Sequence, residues 1–247
     1  MIKVLIGGPA KQHAGIFHEH LDSIRRLKTD TDAETELFYI VNDCPEIIPE
    51  LAEGEFVELN TGDEYITNEQ THFWSNENLA KMEILRNRFI KEALNRGADY
   101  AFFVDTDLIL QPETLDILLN RKEDIIAELF MTPESPGSDM IWPNAWHYDQ
   151  CSINMEELAT WLSHPGVYEV GGTGACMLVN CEVFRRGIDY TRIPNIKNIL
   201  KGEDRWFCIR AVCNGYHIKL DTTCPPRHLY RPSEYAAYME EKNARTD

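Results

Sequence analysis

The chain has 247 residues, of which 43% are hydrophobic and 26% are charged, and its formal net charge is −17 at pH 7. This length supports one large domain with its own core, and no apolar run approaches the roughly 20 residues of a membrane-spanning helix or resembles a signal peptide. The strongly acidic balance repels phosphate backbones, so we exclude nucleic acid as the main partner.

The first half of the chain alternates continuous apolar segments with helical patterns. Strands are predicted at 2–6, 37–41, 100–104 and 125–130, with a weaker one at 56–59. Helices are predicted over about 16–27, 77–96 and 113–120, the second ended by Gly97 and the third opened by Pro112. This alternation predicts an α/β fold whose mainly parallel sheet is covered by helices on both faces.

The second half is less regular. Residues 131–165 are rich in Pro, Trp, His and Ser, and they predict long loops with one short helix near 155–162. Strands follow at 167–170 and 175–179, the latter leading into a short helix, then a helix at 204–213 and an extended segment at 218–220. Because no flexible linker interrupts the chain, we expect a single domain, 1–247.

The cysteines indicate a reducing compartment. The chain has seven, an odd number, and none forms a CxxC pair. That spacing excludes a disulfide framework and a zinc ribbon. We therefore expect most of them to be small buried side chains in a cytoplasmic protein.

Three polar clusters follow predicted strands: Gly7-Gly8-Pro9, Asn42-Asp43 and Asp105-Thr106-Asp107. In parallel sheets, ligands bind at the carboxyl ends of the strands. Residues i and i+2 of an extended segment point to the same side, so Asp105 and Asp107 can face one site. Their hard oxygens suit Mg²⁺ or Mn²⁺, and a cation relieves the repulsion between them. The alternative is an ordinary turn, where Asp is common.

Arg86 interrupts the apolar stripe of the helix predicted over 77–96. At about 100° per residue it falls within that stripe, whereas Lys81 falls on the polar face. A guanidinium that points into a core needs an anion, because an unpaired buried charge is very costly. The candidates are a strand-end carboxylate such as Asp105, or a bound diphosphate. The apolar stripe consists of Leu79, Met82, Phe89, Ile90 and Ala93.

Two later features carry possible chemistry. In Gly202-Glu203-Asp204-Arg205-Trp206, an acid can cap the following helix, or it can act as a general base for an incoming hydroxyl. His228 follows two prolines and is either structural or a metal ligand, since neutral imidazole binds Mn²⁺-like ions.

A glycine-rich turn and an aromatic loop each have one functional and one structural interpretation. Gly171-Gly172-Thr173-Gly174 permits close approach of a ligand to the backbone, or forms only a tight turn before a strand. It is not a P-loop, because no Gly-Lys-Ser/Thr follows. The loop with Trp142, Trp146, His147 and Tyr148 either stacks on sugar rings or packs on the domain.

Taken together, these motifs resemble the family-2-like glycosyltransferases of GT-A fold, over roughly residues 2 to 230. The matching order is Gly-Gly-Pro, Asn42-Asp43, Arg86-Asn87, Asp105-Thr106-Asp107, Gly-Gly-Thr-Gly-Ala, Gly-Glu-Asp-Arg-Trp and a late His228. The resemblance implies a Rossmann-like nucleotide-sugar-binding half at about 1–130. An acceptor-binding and metal-completing half at about 131–247 would be fused to it.

The resemblance also implies roles at the donor side. Asp105 and Thr106 would contact the nucleoside of a nucleoside-diphosphate sugar, expected to be UDP-linked, together with Asp43, which would read the base. Asp107 would bind Mn²⁺ or Mg²⁺ on the diphosphate, with Asp105 and His228 completing the metal site. Three further residues are expected at the nucleotide: Gly8, Pro9 and Arg86.

At the sugar and acceptor side, Asp204 would be the catalytic base beside Glu203. The turn residues Gly171, Gly172 and Thr173 would face the donor sugar. Trp146 and Trp206 are expected at the acceptor, which would be a glycan, a lipid-linked molecule or a protein.

The chain departs from the family at the first strand, which lacks the usual short-turn signature, and at Asn42, which replaces the first acid of a common Asp-Asp pair. Inversion at the anomeric carbon is expected, although some retaining GT-A enzymes carry similar motifs. Two other hypotheses are a sugar nucleotidyltransferase, which would need a basic Gly-rich segment near Gly7-Gly8, and a non-catalytic glycan-binding module.

Overall fold

The computed structural model of the chain describes residues 1–62, 75–194 and 202–244. The helices are α1 (Ala14–Arg25), a 3-10 helix (Pro45–Glu50), α2 (Asn76–Asn95), α3 (Thr114–Arg121), α4 (Met155–Ser163), α5 (Cys181–Arg185), α6 (Glu203–Cys213) and α7 (Pro232–Ala244). The strands are β1 (Ile2–Ala10), β2 (Ala33–Val41), β3 (Phe56–Glu58), β4 (Tyr100–Phe103), β5 (Leu108–Ile109), β6 (Ile125–Glu128), β7 (Met131–Pro133), β8 (Ile141–Pro143), β9 (Ala145–Trp146), β10 (Val167–Val170), β11 (Gly172–Thr173), β12 (Met177–Asn180), β13 (Ile218–Asp221) and β14 (Arg227–His228).

Eight strands form the central sheet, in the order β10-β13-β6-β12-β4-β1-β2-β3. The pairs β1–β2, β1–β4, β2–β3 and β6–β13 are parallel, whereas β12 runs antiparallel to both β4 and β6, and β10 to β13. The predicted α/β architecture with a mostly parallel sheet is therefore confirmed. The antiparallel strands belong to the second half of the chain, where the sequence pattern is least regular.

The sheet separates two parts of the core. Phe102 and Phe103 are fully buried neighbours on β4, and because successive strand residues point to opposite faces, each packs on a different side. Phe103 packs with residues of α2 and α6, including Phe89, and Phe102 packs with residues of α3, including Leu115. No helix within the described part of the chain is long and apolar enough to cross a membrane.

Helix α2 follows the predicted stripe closely. Ser75 caps it by accepting a hydrogen bond from the Asn78 amide, which satisfies one of the free donors of the first turn. Its buried residues are Leu85, Arg86, Phe89, Ile90 and Ala93. The prediction that Arg86 points inward is confirmed, with its side chain only 3% exposed.

The structure corrects the end of the first strand. The sequence places that end at Ile6, whereas β1 continues to Ala10 and pairs with β2 along its whole length. Gly7 has φ +141°, and a Cβ there would overlap the carbonyl oxygen of Phe38. Glycine at this position therefore lets two strands approach, and it does not form a phosphate-binding loop.

The second half also contains elements that the sequence did not predict. Three short strands, β7 to β9, lie within 131–165, and the strand expected at 175–179 begins at Met177. Helix α7 was missed although Pro232 stands at its start, a common first helical residue. All seven cysteines are free, and five of them are buried, as expected.

Candidate active site

A cavity of about 490 Å³ lies where β1, β2 and β4 end. Its floor includes Pro9 and Asn42, which stand at the carboxyl ends of β1 and β2. Its other lining residues come from α2, from the turn after β4 and from the start of α6. Four carboxylates line it: Asp105, Asp107, Glu203 and Asp204.

Arg86 holds three of these carboxylates together. Its Nη2 lies 3.3 Å from Asp105 Oδ1, and its Nε lies 3.1 Å from Glu203 Oε1 and 3.6 Å from Asp204 Oδ1. Although burial opposes its charge, Asp204, Asp105 and Glu203 raise the pKa of Arg86 well above its ordinary value. The arginine therefore fixes the turn after β4 against the start of α6, although Asp105 and Glu203 lie 98 positions apart in the sequence.

Asp204 is the carboxylate best placed to exchange a proton. Its side chain is 27% exposed at the cavity wall, while Glu203 is 7% exposed and hydrogen-bonded to Arg86. Oδ1 of Asp204 is buried and accepts no hydrogen bond from any described residue. Burial raises the pKa of Asp204 to about 8, opposed by Arg86 and assisted by Glu203 and Asp105. A carboxyl with such a pKa is suited to general acid–base chemistry near neutral pH.

Gly174 makes room for this carboxylate. A Cβ on Gly174 would stand 2.5 Å from Asp204 Oδ2 and 2.8 Å from its Cγ, which is closer than real contacts allow. The resemblance assigned the Gly171-Gly172-Thr173-Gly174 turn to the donor sugar, with Gly171, Gly172 and Thr173 as its contacts. The structure therefore places a different glycine of the turn against the site.

Asp107 and His228 meet where two short strands, β5 and β14, pair. His228 of β14 pairs with Leu108 of β5, and Nε2 of the histidine lies 3.3 Å from Asp107 Oδ2. The other ring nitrogen lies 3.0 Å from the hydroxyl of Thr132, and the ring of Phe130 packs edge-on at 4.9 Å. Although burial opposes it, Asp107 raises the pKa of His228.

The Asp107–His228 pair fits part of a divalent-cation site. A carboxylate oxygen and an imidazole nitrogen that face each other are donors that Mn²⁺ accepts. In residues 1–62, 75–194 and 202–244, no group of three or more His, Cys, Asp or Glu side chains is placed to hold one ion. A bound ion would need its remaining ligands from elsewhere, such as phosphate oxygens and water.

Asp43 lies outside the lining of the cavity, as does Gly8, among the described residues. It has φ +46° after β2, and its carboxylate accepts hydrogen bonds from the amides of Thr61 and Gly62 and from the Thr61 hydroxyl. Although partial burial raises it, these hydrogen bonds lower the pKa of Asp43. In this structure, the carboxylate organises the chain after β3.

The predicted donor-sugar turn packs against Trp146 and its neighbour His147. Gly171 lies against the backbone of His147, and Gly172 lies against the indole of Trp146. The guanidinium of Arg205 covers the ring of Trp146 at 4.5 Å. Trp206 is buried at 6% exposure. Among the described residues, none of these glycines or tryptophans lines the cavity.

Thr173 is fully buried beside them. Its hydroxyl donates to the backbone oxygen of Asn144, and its own backbone oxygen accepts from the Cys208 thiol. The turn 171–173 therefore anchors β9 and α6, and its contacts are with the protein itself.

Several cavity residues escaped the sequence reasoning. Lys81 was assigned to the polar face of α2, but the structure places it on the cavity wall with Asn78 and Met82. Met82 and Asn78 lie about one and two turns before Arg86 on the same side of the helix, which is a signal the sequence did contain, whereas Lys81 lies roughly 140° from Arg86 around the helix axis. Lys11 and Gln12 follow β1 and also line the cavity, and the early end predicted for β1 obscured them.

No protein-family model and no curated protein sequence matches the chain. Several solved structures are similar to it in fold. A mannosyltransferase from Pyrobaculum calidifontis, in complex with GDP-Man and Mn²⁺, is similar with a TM-score of 0.53 and 10% identity, covering 96% of this chain and 59% of that one. TarS from S. aureus is similar with a TM-score of 0.51 and 15% identity, covering 98% of this chain and 39% of that one.

A UDP-glucose pyrophosphorylase complexed with UDP-glucose is similar along its whole length, with a TM-score of 0.52, 9% identity, and coverage of 98% of this chain and 100% of that one. At these identities, the likeness shows the fold alone. It confirms the predicted GT-A-like architecture. The chain spans less than two thirds of the length of the first two proteins.

Proposed function

We propose that this protein is a metal-dependent glycosyltransferase. It transfers a sugar from a nucleoside-diphosphate sugar, with UDP as the expected nucleotide, to an acceptor hydroxyl, with inversion at the anomeric carbon. The observation that carries the proposal is the Arg86 cluster. It joins the Asp105-Thr106-Asp107 turn to Glu203-Asp204 at one cavity, on a fold shared with solved nucleotide-sugar-binding proteins.

The donor would lie along the ends of β1, β2 and β4. Pro9, Asn42, Asp105 and Thr106 line the cavity, and in this proposal the first two would border the nucleoside while Asp105 and Thr106 would contact its ribose. Asp107 and His228 would hold a Mn²⁺ or Mg²⁺ ion, which supplies positive charge for the leaving diphosphate. Lys11 and Lys81 also line the cavity and add positive charge to it.

Asp204 would act as the base. The acceptor oxygen forms a bond to the anomeric carbon while the bond between that carbon and the diphosphate oxygen breaks. The hydroxyl proton passes to the carboxylate of Asp204, and the bond electrons leave with the diphosphate. Attack on the face opposite the leaving group inverts the configuration. Proton NMR of the anomeric product tests this, because a retained configuration would contradict the single displacement.

The acceptor is assigned to the second half of the chain, around Trp146 and Trp206. Their packing in this structure gives them a supporting role: the Arg205 guanidinium stacks on Trp146 and is also hydrogen-bonded to Gln150. The proposal leaves the acceptor class as a glycan, a lipid-linked molecule or a protein.

A sugar nucleotidyltransferase is the second candidate, favoured by the pyrophosphorylase whose full length the fold matches. Such an enzyme would form a bond between a sugar phosphate and the α-phosphorus of a nucleoside triphosphate and release pyrophosphate. The Gly7-Gly8 pair speaks against it, because both glycines lie within β1 and Gly7 is packed against Phe38. A phosphate-binding glycine loop is therefore not formed at this pair.

The first prediction concerns ligand-induced stabilisation. We expect the melting temperature to rise with a nucleoside diphosphate plus Mn²⁺, and less with either alone, because the ion bridges protein and diphosphate. At a concentration about 100 times the Kd, the stabilisation would reach about 2.7 kcal/mol. Asp107→Ala should remove the dependence on Mn²⁺. Asp139→Ala, at an exposed acid, is the matched control and should respond like the wild type.

Activity assays and thermal shifts with nucleotides, sugars and Mn²⁺ separate the three candidate functions. Sugar transfer or slow donor hydrolysis that requires Mn²⁺ supports the glycosyltransferase. Pyrophosphate release from a nucleoside triphosphate and a sugar phosphate would support the nucleotidyltransferase instead. Stabilisation by glycans alone, with no effect of any nucleotide, would indicate a non-catalytic glycan-binding module and would overturn both enzymatic proposals.

A second prediction concerns Gly174. We expect Gly174→Ala to lower kcat by about 100-fold, since the added methyl displaces Asp204 and misplacement of a catalytic group by ~1 Å has effects of that size. Gly166→Ala is the control, because a Cβ there meets nothing closer than 4.0 Å. Steady-state kinetics check both variants. Equal activity in the two would show that Asp204 need not occupy its observed position.

A further inference from the structure

Two buried polar side chains on α1 bind the backbone of β5. The ring of His20 is fully buried, with Nδ1 2.8 Å from the carbonyl oxygen of Leu108 and Nε2 2.9 Å from the hydroxyl of Tyr39. A carbonyl oxygen only accepts, so Nδ1 carries the proton. Nε2 of the neutral ring then accepts from the Tyr39 hydroxyl. Burial lowers the pKa of His20 to about 4, which keeps this neutral tautomer at physiological pH.

Ser23 binds the residue that directly follows the same strand. Its hydroxyl accepts a hydrogen bond from the Leu110 amide at 3.1 Å and donates to the carbonyl oxygen of His20 at 2.7 Å. The serine is 1% exposed. Helix α1 therefore holds the backbone at Leu108 and at Leu110, on both sides of Ile109.

The opposite edge of β5 carries the candidate metal ligands. Leu108 directly follows Asp107 and pairs with His228 on β14. The Leu229 amide donates to the carbonyl oxygen of Asp107 at 2.8 Å. β5 thus lies between α1, which contributes His20 and Ser23, and β14, which contributes His228. A shift of β5 would change the separation of Asp107 and His228.

We propose that His20 and Ser23 are positioning residues that fix β5 so that Asp107 stays opposite His228, and that they thereby set the affinity of this pair for a divalent cation. The proposal rests on the proposed function. Purely apolar packing would not require a histidine here, because burying an imidazole without hydrogen bonds is costly. His20 binds the carbonyl oxygen of Leu108 and Ser23 binds the amide of Leu110, so both side chains hold the backbone on either side of Ile109. Residues that orient metal ligands commonly affect metal affinity strongly.

The test compares Mn²⁺ affinity, measured by electron paramagnetic resonance in the presence of UDP, among variants at His20 and its neighbour. His20→Leu removes the donor to Leu108, and we expect it to weaken Mn²⁺ binding by about tenfold or more. His20→Asn keeps an N–H donor near the Nδ1 position and should recover most of the affinity. Tyr39→Phe removes only the second hydrogen bond of His20 and should bind Mn²⁺ like the wild type.

Equal affinity in His20→Leu and Tyr39→Phe would overturn the proposal, as would a failure of His20→Asn to bind better than His20→Leu. All measurements are made well below the melting temperature of each variant, so a loss of stability alone leaves Mn²⁺ affinity unchanged. If the wild type itself bound neither Mn²⁺ nor UDP, the proposed function would fail, and the positioning of a metal pair would fail with it.

Hydrogen exchange separates a failure of the proposed function from a failure of His20 to hold β5 in place. In His20→Leu we expect faster exchange at the Leu110 and Leu229 amides, with little change at the amides of β4. Tyr39→Phe should leave all of them slow. A uniform acceleration over the whole sheet in His20→Leu would show that His20 only stabilises the core, and it would overturn the positioning role whatever ligand the cavity binds.

Discussion

Replacing Asp204 with asparagine should lower the rate of sugar transfer by about 10³-fold, within the range of general-base contributions, and leave donor binding within about threefold. Asparagine has the same shape and fits beside Gly174, but it cannot take the acceptor proton. Steady-state kinetics with the best donor, together with the thermal shift produced by nucleoside diphosphate and Mn²⁺, measure both quantities. Full activity in Asp204→Asn would remove the base assignment.

The pH profile gives an independent measurement of the same role. The base must be deprotonated, and burial raises the pKa of Asp204 from its ordinary value of 3.8 to about 8. The kcat/KM of the wild type should therefore rise with pH and level off above about 8, whereas the residual activity of Asp204→Asn should lack this step. The raised pKa also means that the folded state binds the proton more tightly than the unfolded chain. The contribution of Asp204 to the free energy of unfolding therefore falls as the pH rises from its ordinary pKa of 3.8 to its raised pKa of about 8.

Much of this site was predictable because its elements are periodic or local. The helical stripe alone showed that Arg86 points inward, and the end of a buried strand located Asp105 and Asp107. The i, i+2 argument placed both carboxylates on one side, and both do line the cavity. Their partners differ, however: Asp105 binds Arg86, and Asp107 faces His228. Those partners are distant in sequence, and no local pattern distinguishes them.

The features that were missed depend on contacts between distant segments. Strands β5 and β14 have two residues each and carry no periodicity, so the pairing of Leu108 with His228 leaves no trace in sequence. Gly174 is the glycine of the 171–174 turn that lies at the site because it packs against Asp204, which is 30 residues later in the chain. The end of β1 was misplaced because Gly7-Gly8 normally signals a turn, whereas here close packing against β2 keeps both in the strand.

Arg86 is the residue on which the two halves of the site most depend. It is the common partner of one carboxylate from the turn after β4 and two from the start of α6. We expect Arg86→Met to reduce the free energy of unfolding by about 3–5 kcal/mol, because the substitution leaves buried carboxylates without their cation. Urea unfolding at pH 7 measures the change. Arg185→Met is the control: its partner Glu182 is exposed, and such surface pairs contribute about 1 kcal/mol or less.

A double-mutant cycle then shows whether charge is the cause. Glu203 is the most buried partner of Arg86, so Glu203→Gln in the Arg86→Met background should restore part of the lost stability. The coupling between the two sites should be about 1–3 kcal/mol, as for residues that share a buried ion pair. If the two losses simply added, the packing of the Arg86 side chain would account for the effect.

Lowering the pH should restore stability to Arg86→Met without a second substitution, since protonation of the carboxylates removes the uncompensated charge. Arg86→Met should therefore lose less stability, relative to the wild type, at pH 5 than at pH 8.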